Sequence, residues 1–249
     1  HEVIIPAPYW VSYPDMVLAC DGTPVVVACK EEDNFCLQAA AFEAAITTNT
    51  RWLLLNSPTN PTGASYGEAD LRAIADVLLR HPQVMLMTDD IYEHIRFSDE
   101  ASPHILAIEP ALRDRTMVIN GVSKTYAMTG WRIGFAVGNK TLISALTRVK
   151  SYLDYGAFTP IQAAAVAALN GPQEIVAQNR ELYHRRRDVM VESFGRAGWE
   201  IPPPRASMYT GLYGMTHRVV VNRSPLAEHH RTFAQHLRTV GYAPTVFGY

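Results

Sequence analysis

Short apolar runs alternate with helix-like segments over the first 140 residues of the chain. Six runs of mainly β-branched or aliphatic residues have the length of buried strands: 3–5, 25–28, 52–55, 84–87, 116–119 and 133–137. Between them, the segment 67–80 places its apolar residues on one face of a helix, and 35–46 has the same periodicity. Buried strands that alternate with amphipathic helices are typical of an α/β fold, so we predict a largely parallel sheet covered by helices.

The pattern changes after residue 140, where helical segments follow one another. The predicted helices span 142–153, 161–169 and 172–196, and they are separated by Thr159-Pro160 and by Asn170-Gly171-Pro172. A proline-rich stretch at 202–204 then leads to a predicted strand at 219–221 and a helix at 233–237. We therefore predict three regions: most of a large domain (1–140), connecting helices (141–170) and part of a smaller α+β domain (171–249).

Composition excludes several classes of function. The 249 residues suffice for a sizeable core, and 48% hydrophobic with 18% charged residues is the balance of a soluble globular protein. A net charge of −2 offers no broad basic surface, so we expect no nucleic-acid partner. No apolar run reaches 18 residues, so we expect no membrane partner either. A small-molecule ligand is the remaining expectation.

The cysteines and the chain ends carry two further expectations. Cys20, Cys29 and Cys36 form an odd set without metal-ligand spacing, which favours free, buried thiols in a reducing compartment and a cytoplasmic location. The chain opens at His1, runs at once into the first apolar run, and closes after an apolar approach to Tyr249. We expect it to be a fragment of a longer protein, truncated at both ends.

Polar residues follow four of the predicted strands. These runs are Pro-Ala-Pro-Tyr-Trp at 6–10, Asn-Ser-Pro-Thr-Asn-Pro-Thr-Gly at 56–63, Thr-Asp-Asp-Ile-Tyr-Glu at 88–93 and the segment 120–132. Ligands of parallel α/β sheets bind beyond the carboxyl ends of the strands, so the four runs together predict one site.

Each residue of these runs also has an ordinary explanation when it is taken alone. Asn60-Pro61-Thr62-Gly63 is a strong turn sequence. Asp89 could cap a helix, and Trp10 could pack in a core. Arg132 could stack on its neighbour, Trp131. Lys124 has a more specific setting: glycine and small residues surround it, and an arginine follows eight positions on, which suits covalent binding of an aldehyde cofactor and ionic binding of its phosphate.

The run Gly121-Val122-Ser123-Lys124, continued by Ala127, Gly130, Arg132, Ile133 and Gly134, resembles the lysine signature of the class I and II aminotransferases. These are pyridoxal phosphate enzymes of fold type I, and the resemblance is closest to aspartate and alanine aminotransferases. It extends from His1 to about Met208. It implies a fold type I transferase, pyridoxal 5'-phosphate as cofactor, an L-amino acid and a 2-oxo acid as substrates, and a homodimer.

The resemblance also implies roles for single residues. Lys124 matches the lysine that forms the Schiff base with the cofactor and later shuttles the proton, with a pyridoxamine phosphate intermediate. Asp89 matches the carboxylate that pairs with the pyridine nitrogen, which makes the ring an electron sink. Arg132 matches the arginine that binds the cofactor phosphate, where a planar fork suits bidentate contact.

Three more positions match residues around the cofactor ring. Tyr92 and Asn60 match the hydroxyl and the amide that hydrogen-bond its phenolic oxygen. Trp10 matches the aromatic residue that stacks on the ring. Trp10 and Asn60 also match residues that reach the substrate carboxylate.

The chain departs from the family pattern at several places. The family's glycine-rich phosphate loop and its carboxylate-binding arginine match no residues of this sequence, Gly121 stands where some members have a phosphate-binding serine, and 210–223 diverges. Residues up to 150 resemble aspartate aminotransferases, whereas 152–156 and 205–209 resemble alanine aminotransferases, so the donor and acceptor stay open.

Other functions also stay open on the sequence. A pyridoxal phosphate lyase or synthase would share the same residues, and a non-catalytic remnant could keep the fold. His229, His230 and His236 lack a fourth ligand at suitable spacing, which favours a solvated helix face and no metal site.

Overall fold

A computed structural model of the chain describes residues 1–97, 103–200 and 202–206. Six strands form one sheet in the order β2-β1-β3-β4-β5-β6, in which β6 is antiparallel to β5 and the other neighbours are parallel. The strands are β1 (Glu2–Ala7), β2 (Thr23–Ala28), β3 (Thr50–Asn56), β4 (Met85–Asp89), β5 (Thr116–Gly121) and β6 (Gly134–Gly138). All six predicted strands and the mostly parallel α/β sheet are confirmed.

Seven α-helices accompany the sheet in the described part of the chain. They are α1 (Ser12–Ala19), α2 (Ala39–Ala45), α3 (Glu68–Arg80), α4 (Ile105–Ile108), α5 (Lys140–Leu153), α6 (Thr159–Asn170) and α7 (Glu174–Arg196). The predicted helices at 67–80, 142–153, 161–169 and 172–196 are confirmed within a few residues. Thr159-Pro160, predicted as a break, forms the first turn of α6, where the missing proline N–H costs nothing. Helix α1 was not predicted, because it is short and buries only Tyr13 and Val17.

The prediction of a helix at 35–46 is wrong in its first four residues. Helix α2 begins at Ala39, Phe35 has φ of 56°, and Gln38 is extended at φ −82° and ψ 135°. Phe35, Cys36 and Leu37 are nevertheless buried, and the Leu37 amide donates to the Tyr66 hydroxyl at 2.9 Å. A buried loop therefore produces the same apolar spacing as a helix face.

Two hydrophobic clusters cover the two faces of the sheet. Ile4 and Leu53 belong to the larger cluster, which includes residues of α2, α3 and α4. Ile5 and Leu54, the next residues on the same strands, belong to the smaller cluster with Tyr13 of α1. Successive side chains of a strand point to opposite faces, so this alternation places the sheet between two helical layers.

The cysteines follow the prediction in two of three cases. Cys29 and Cys36 are buried free thiols. Cys20 is exposed, which contradicts the prediction, because it lies one residue beyond the end of α1, where the chain turns at the surface.

Residues 202–206 pack against the rest of the described structure. The Phe97 amide donates to the Arg205 carbonyl at 2.8 Å, and Arg96 forms a β-bridge with Ala206. The Arg187 guanidinium of α7 lies 4.8 Å from the centre of the Phe97 ring. This contact joins α7 to the segment that follows β4.

The remaining predictions for the C-terminal part lie outside the described residues. These are the strand at 219–221, the helix at 233–237, the three histidines and most of the small domain, so the domain limits stay predictions. Within the three described ranges, none of the helices is both long and apolar enough to cross a membrane.

Candidate functional site

The four polar runs lie at one edge of the sheet. Strands β1, β3, β4 and β5 are consecutive neighbours and parallel, so their carboxyl ends point the same way. Asn56 at the end of β3 is in register with Asp89 at the end of β4, and Asp89 is in register with Ile119 of β5. Lys124 follows three residues after β5, in a turn.

Asp89 holds its carboxyl group in a partly buried, hydrogen-bonded setting. The Tyr13 hydroxyl donates to Oδ2 at 2.6 Å, and the Ile91 amide donates to Oδ1 at 3.2 Å. Burial raises the pKa of Asp89, and the hydrogen bonds from Tyr13 and Ile91 act in the opposite direction. The site thus contains an acidic group whose ionised form depends on its donors.

The neighbouring Asp90 has a different role on the other face of the sheet. Its Oδ2 lies 3.1 Å from His104 Nε2 and accepts from the Thr88 hydroxyl at 3.3 Å. The nearby Asp90 carboxylate raises the pKa of His104, although burial lowers it. Of the two consecutive aspartates, Asp89 is the one that accepts the Tyr13 hydrogen bond from α1.

Asn56 ties the loop that carries Asn60 to the end of β4. Its side-chain Nδ2 donates to the Asp89 carbonyl at 2.7 Å, and its Oδ1 accepts from the Asn60 amide at 2.8 Å. The Thr59 hydroxyl donates to the Asn56 carbonyl at 2.9 Å. Asn56 is buried and received no role from the sequence. A polar residue at the last position of a buried strand was the signal that could have revealed it.

Gly63 closes the same loop. Its φ is +68°, in the region that favours glycine, and a Cβ at this position would lie 2.8 Å from the Ala206 carbonyl oxygen. The turn that carries Asn60 therefore packs directly on the segment 202–206.

Lys124 lies over the ring of Tyr92. Its Nζ is 5.6 Å from the ring centre, and the side chain is about half-buried. Burial lowers the pKa of the Lys124 amine, and the cationic Arg132 lowers it further. Both effects increase the fraction of neutral amine, which is the form that attacks an aldehyde.

Helix α7 braces the turn that carries Lys124. Asn179 Nδ2 donates to the Thr125 carbonyl at 3.1 Å, and the Tyr126 hydroxyl donates to Gln173 Oε1 at 2.8 Å. Within the turn region, the Thr129 hydroxyl donates to the Ser123 carbonyl at 3.1 Å. These contacts to Asn179 and Gln173 join residues about 50 positions apart, so no local sequence pattern indicated them.

Arg132 is exposed and has a left-handed backbone. Its φ is 53° and ψ is 49°, and Nη1 donates to the Thr129 carbonyl at 3.0 Å. A non-glycine residue in this region costs on the order of 1–3 kcal/mol, and such residues cluster at ligand sites. The guanidinium has more N–H donors than this contact uses.

Trp10 is linked to Asp89 through Tyr13. Trp10 is 41% exposed, and its ring meets that of Tyr13 edge-on, with centres 5.4 Å apart and planes at 86°. Tyr13, like Asn56, is a functional candidate that the sequence did not reveal. Its position three residues after Trp10, close enough for the two rings to meet, was the available signal.

A sequence profile described as "Aminotransferase class I and II" matches residues 1–245. The chain belongs to the class I and II aminotransferase family. The family resemblance inferred from the Lys124 run is thereby confirmed.

Relatives and solved structures of aminotransferases give the same result. The chain is 52% identical over 209 residues to the aspartate/prephenate aminotransferase of Cereibacter sphaeroides, an alignment that covers 84% of this chain and 52% of the relative. It is similar to the crystal structure of the aspartate aminotransferase from Rhizobium meliloti, with 48% identity, a TM-score of 0.80, and coverage of 83% of this chain and 52% of that one. For the aromatic aminotransferase of Pyrococcus horikoshii the identity is 36%, the TM-score 0.78, and the coverage 83% and 56%. The chain spans about half the length of the curated relatives it matches.

The donor set of the site fits the cofactor that the aminotransferase family implies. Pyridoxal phosphate carries an aldehyde, a pyridine nitrogen, a phenolic oxygen and a phosphate. The site provides an amine of lowered pKa in Lys124, a carboxyl group in Asp89 and an exposed guanidinium in Arg132. These groups are chemically complementary to the aldehyde, the ring nitrogen and the phosphate.

Gly121 departs from members with a serine at this position for a steric reason. A Cβ on Gly121 would lie 3.1 Å from both the Ile133 carbonyl oxygen and Ile91 Cδ1. A side chain here would require the Ile133 carbonyl and the Ile91 side chain to move by a few tenths of an ångström, so the present packing of this aminotransferase family member favours glycine.

Proposed function

We propose that the protein is a pyridoxal phosphate-dependent aminotransferase that moves an amino group between an L-amino acid and a 2-oxo acid. One observation carries the proposal: Lys124, an amine of lowered pKa, and Asp89, a hydrogen-bonded carboxyl group, belong to the same edge of the sheet. An amine alone would suit many functions. The amine together with a carboxyl group for a ring nitrogen is the combination that this cofactor needs.

Lys124 is the residue that would do the chemical work. Its Nζ would bind the cofactor aldehyde covalently and, once released by the substrate, would take the proton from the substrate Cα and deliver it to the cofactor. When bound, pyridoxal phosphate supplies an electron-poor ring that stabilises negative charge at that carbon. Asp89 would hold a proton on the ring nitrogen, which strengthens this effect.

The remaining site residues would position the cofactor and the substrate. Arg132 would bind the phosphate through paired N–H donors. Tyr92 and Asn60 would hydrogen-bond the phenolic oxygen, and Trp10 would cover the ring with its exposed face. Asn60 and Trp10 would also reach the substrate carboxylate.

The names of the relatives support an aspartate-like substrate. One relative is named aspartate/prephenate aminotransferase, and a similar structure, 38% identical, is an aspartate aminotransferase from Thermus thermophilus with maleate, a dicarboxylate. We propose aspartate as the first amino donor to test and alanine as the second. A homodimer and a cytoplasmic location belong to the same proposal.

The first experiment locates the covalent link. The complete protein that carries these 249 residues is mixed with pyridoxal phosphate, reduced with borohydride and digested for mass spectrometry. We expect one modified lysine, Lys124, and no stable adduct in Lys124→Ala. Lys140→Ala, which removes an exposed lysine at the start of α5, is the matched control and should keep the adduct. An adduct that persists at another lysine of Lys124→Ala contradicts the proposal.

The second experiment distinguishes a transferase from the other functions. Addition of aspartate or alanine should change the absorbance of the bound cofactor, and a 2-oxo acid should restore it. A lyase or synthase would not show this reversal, and a non-catalytic remnant would show no cofactor absorbance at all. Asp89→Asn should retain the cofactor and lose most of the turnover, so near-normal turnover would refute its electronic role.

A further inference from the structure

Tyr13 connects two of the candidate site residues. Its ring is only 5% exposed and packs in the smaller hydrophobic cluster, while Trp10 meets it edge-on. Its hydroxyl donates to Asp89 Oδ2 at 2.6 Å, across 76 positions of sequence. A buried phenol with one short hydrogen bond to a carboxyl oxygen has a fixed orientation and a defined partner.

The pKa of Tyr13 identifies the phenol as the donor of this hydrogen bond. Burial, and next the negative charge of Asp89, raise the pKa of Tyr13 far above its usual range, so the phenol keeps its proton. Burial raises the pKa of Asp89, and the Tyr13 hydrogen bond is the largest effect in the opposite direction. The hydroxyl therefore stabilises the charged form of the carboxyl group, whereas burial favours its neutral form.

Asp89 keeps the capacity to bind a further donor. Oδ2 accepts from Tyr13 and Oδ1 from the Ile91 amide, whereas a carboxylate offers about four lone-pair sites. The two contacts use one lone pair of each oxygen, so the carboxylate can accept a further N–H donor.

We propose that Tyr13 is a positioning residue that keeps the Asp89 carboxylate ionised and in a fixed orientation, and thereby sets the proton affinity of the cofactor ring nitrogen. This inference rests on the proposed function for its second half, because it needs a pyridoxal phosphate ring at Asp89. Its first half, the coupling of Tyr13 to Asp89, concerns the protein alone. The two halves can be measured separately.

The charged and titratable groups that act on this pair come from two segments. The pKa of Asp89 is lowered by the hydrogen bond from Tyr13 of α1 and raised by the charge of Asp90, the residue after β4. Tyr92 and Asp90 also raise the pKa of Tyr13 through their charges. Asp90 and Tyr92 raise the pKa of the acids near them, so among these groups Tyr13 is the one that favours ionised Asp89 through a hydrogen bond.

The cofactor-free test measures the pKa of Asp89 in the complete protein by NMR of ¹³C-labelled aspartate carboxyl groups. Tyr13→Phe keeps the ring and removes the hydroxyl, so the pKa of Asp89 should rise by about one to two units, the size expected for a hydrogen bond to a charged group. Tyr66→Phe is the matched control, because its buried hydroxyl accepts from the Leu37 amide and its ring belongs to the larger hydrophobic cluster, whereas Tyr13 belongs to the smaller one. It should leave the pKa of Asp89 unchanged.

A second substitution keeps the test decisive if Tyr13→Phe does not fold. Fluorotyrosine at position 13 preserves the shape and makes the phenol a stronger donor, so the pKa of Asp89 should fall. An Asp89 pKa that moves in neither variant overturns the inference. A rise with Tyr13→Phe together with a fall with fluorotyrosine supports it, since loss of packing alone would not give opposite signs.

The cofactor test uses pyridoxal phosphate labelled with ¹⁵N in the ring. In the unmodified protein the ring nitrogen should give the resonance of a protonated pyridine, and in Tyr13→Phe it should move towards the neutral form at the same pH. An unchanged resonance overturns the second half of the inference. If the unmodified protein binds no cofactor while the Asp89 pKa still responds to Tyr13, the proposed function fails and the coupling stands.

Discussion

Replacement of Asn56 by alanine should destabilise the protein and weaken cofactor binding together. Asn56 is the link between the end of β4 and the loop of Asn60, through one donated and one accepted hydrogen bond. Alanine removes both and leaves the Asp89 carbonyl and the Asn60 amide without that partner. The loop that carries Asn60 would then no longer be held at a fixed position relative to the end of β4, where Asp89 lies.

The expected size follows from these two contacts. At 2.7 and 2.8 Å both are short hydrogen bonds, each worth about 1 kcal/mol net. A buried polar group left without a partner adds about 1–3 kcal/mol, which the loop reduces by moving and admitting water. We therefore expect a loss of about 2–4 kcal/mol in the free energy of unfolding.

Urea unfolding and cofactor titration of the same preparations measure the two effects. Asn139→Ala is the matched control: Asn139 caps α5 by accepting from the Thr141 and Leu142 amides and donates to the Asp114 carbonyl, away from the site. It should cost about 1–2 kcal/mol and leave cofactor affinity unchanged. If Asn56→Ala loses under about 0.5 kcal/mol, well below one average hydrogen bond, or weakens the cofactor no more than Asn139→Ala does, the reasoning is refuted.

Three further predictions concern thiols and backbone. Burial raises the pKa of Cys29 to about 11 and of Cys36 to about 12, so only the exposed Cys20 should react promptly with a thiol reagent at pH 8, and a second fast thiol would contradict this. As the pH rises, Cys29 and Cys36 lose their protons first in the unfolded protein, because only the folded protein raises their pKa. Their contribution to the free energy of unfolding should therefore be complete below about pH 9 and decline towards pH 11–12. Urea midpoints that stay constant over that range would refute this prediction. Gly63→Ala should lower the melting temperature, at a cost of about 1–3 kcal/mol, because φ is +68° and the new Cβ would meet the Ala206 carbonyl; an unchanged melting temperature would be the contrary result.

The sheet could be predicted because burial and strand length leave a direct trace in the sequence. The strands β3, β4 and β5 are covered on both faces, so most of their positions are apolar or β-branched. The helix prediction was wrong at 35–38 because a buried loop has the same apolar spacing as a helix face. No residue type indicates the positive φ of Phe35. Periodicity reports burial, and local backbone geometry decides between the structures that satisfy it.

The site was predictable to the extent that its residues follow strands. Lys124 and Asp89 were found in this way, as the ends of parallel neighbours must share an edge. Asn56 and Tyr13 were missed because their importance comes from partners 33 and 76 positions away. The sequence alone also did not show why Asp89, and not Asp90, is the site residue. That depends on the elements packed nearby: Asp89 contacts Tyr13 of α1, and Asp90 lies beside His104.

The setting of Lys124 depends on a helix that lies beyond the predicted large domain. Asn179 of α7 donates to the carbonyl of Thr125, the residue next to Lys124, and Gln173 accepts from Tyr126. Both contacts act on the turn that follows β5. The sheet determines where β5 ends, but it does not determine the conformation of the residues that follow. A lysine that binds an aldehyde and also moves a proton needs its Nζ held to within a fraction of an ångström. Strand β5 therefore determines where the turn begins, and the contacts with Asn179 and Gln173 determine the position of Lys124 within it. A chain cut at residue 140 would keep the Lys124 amine and lose the contacts that orient it.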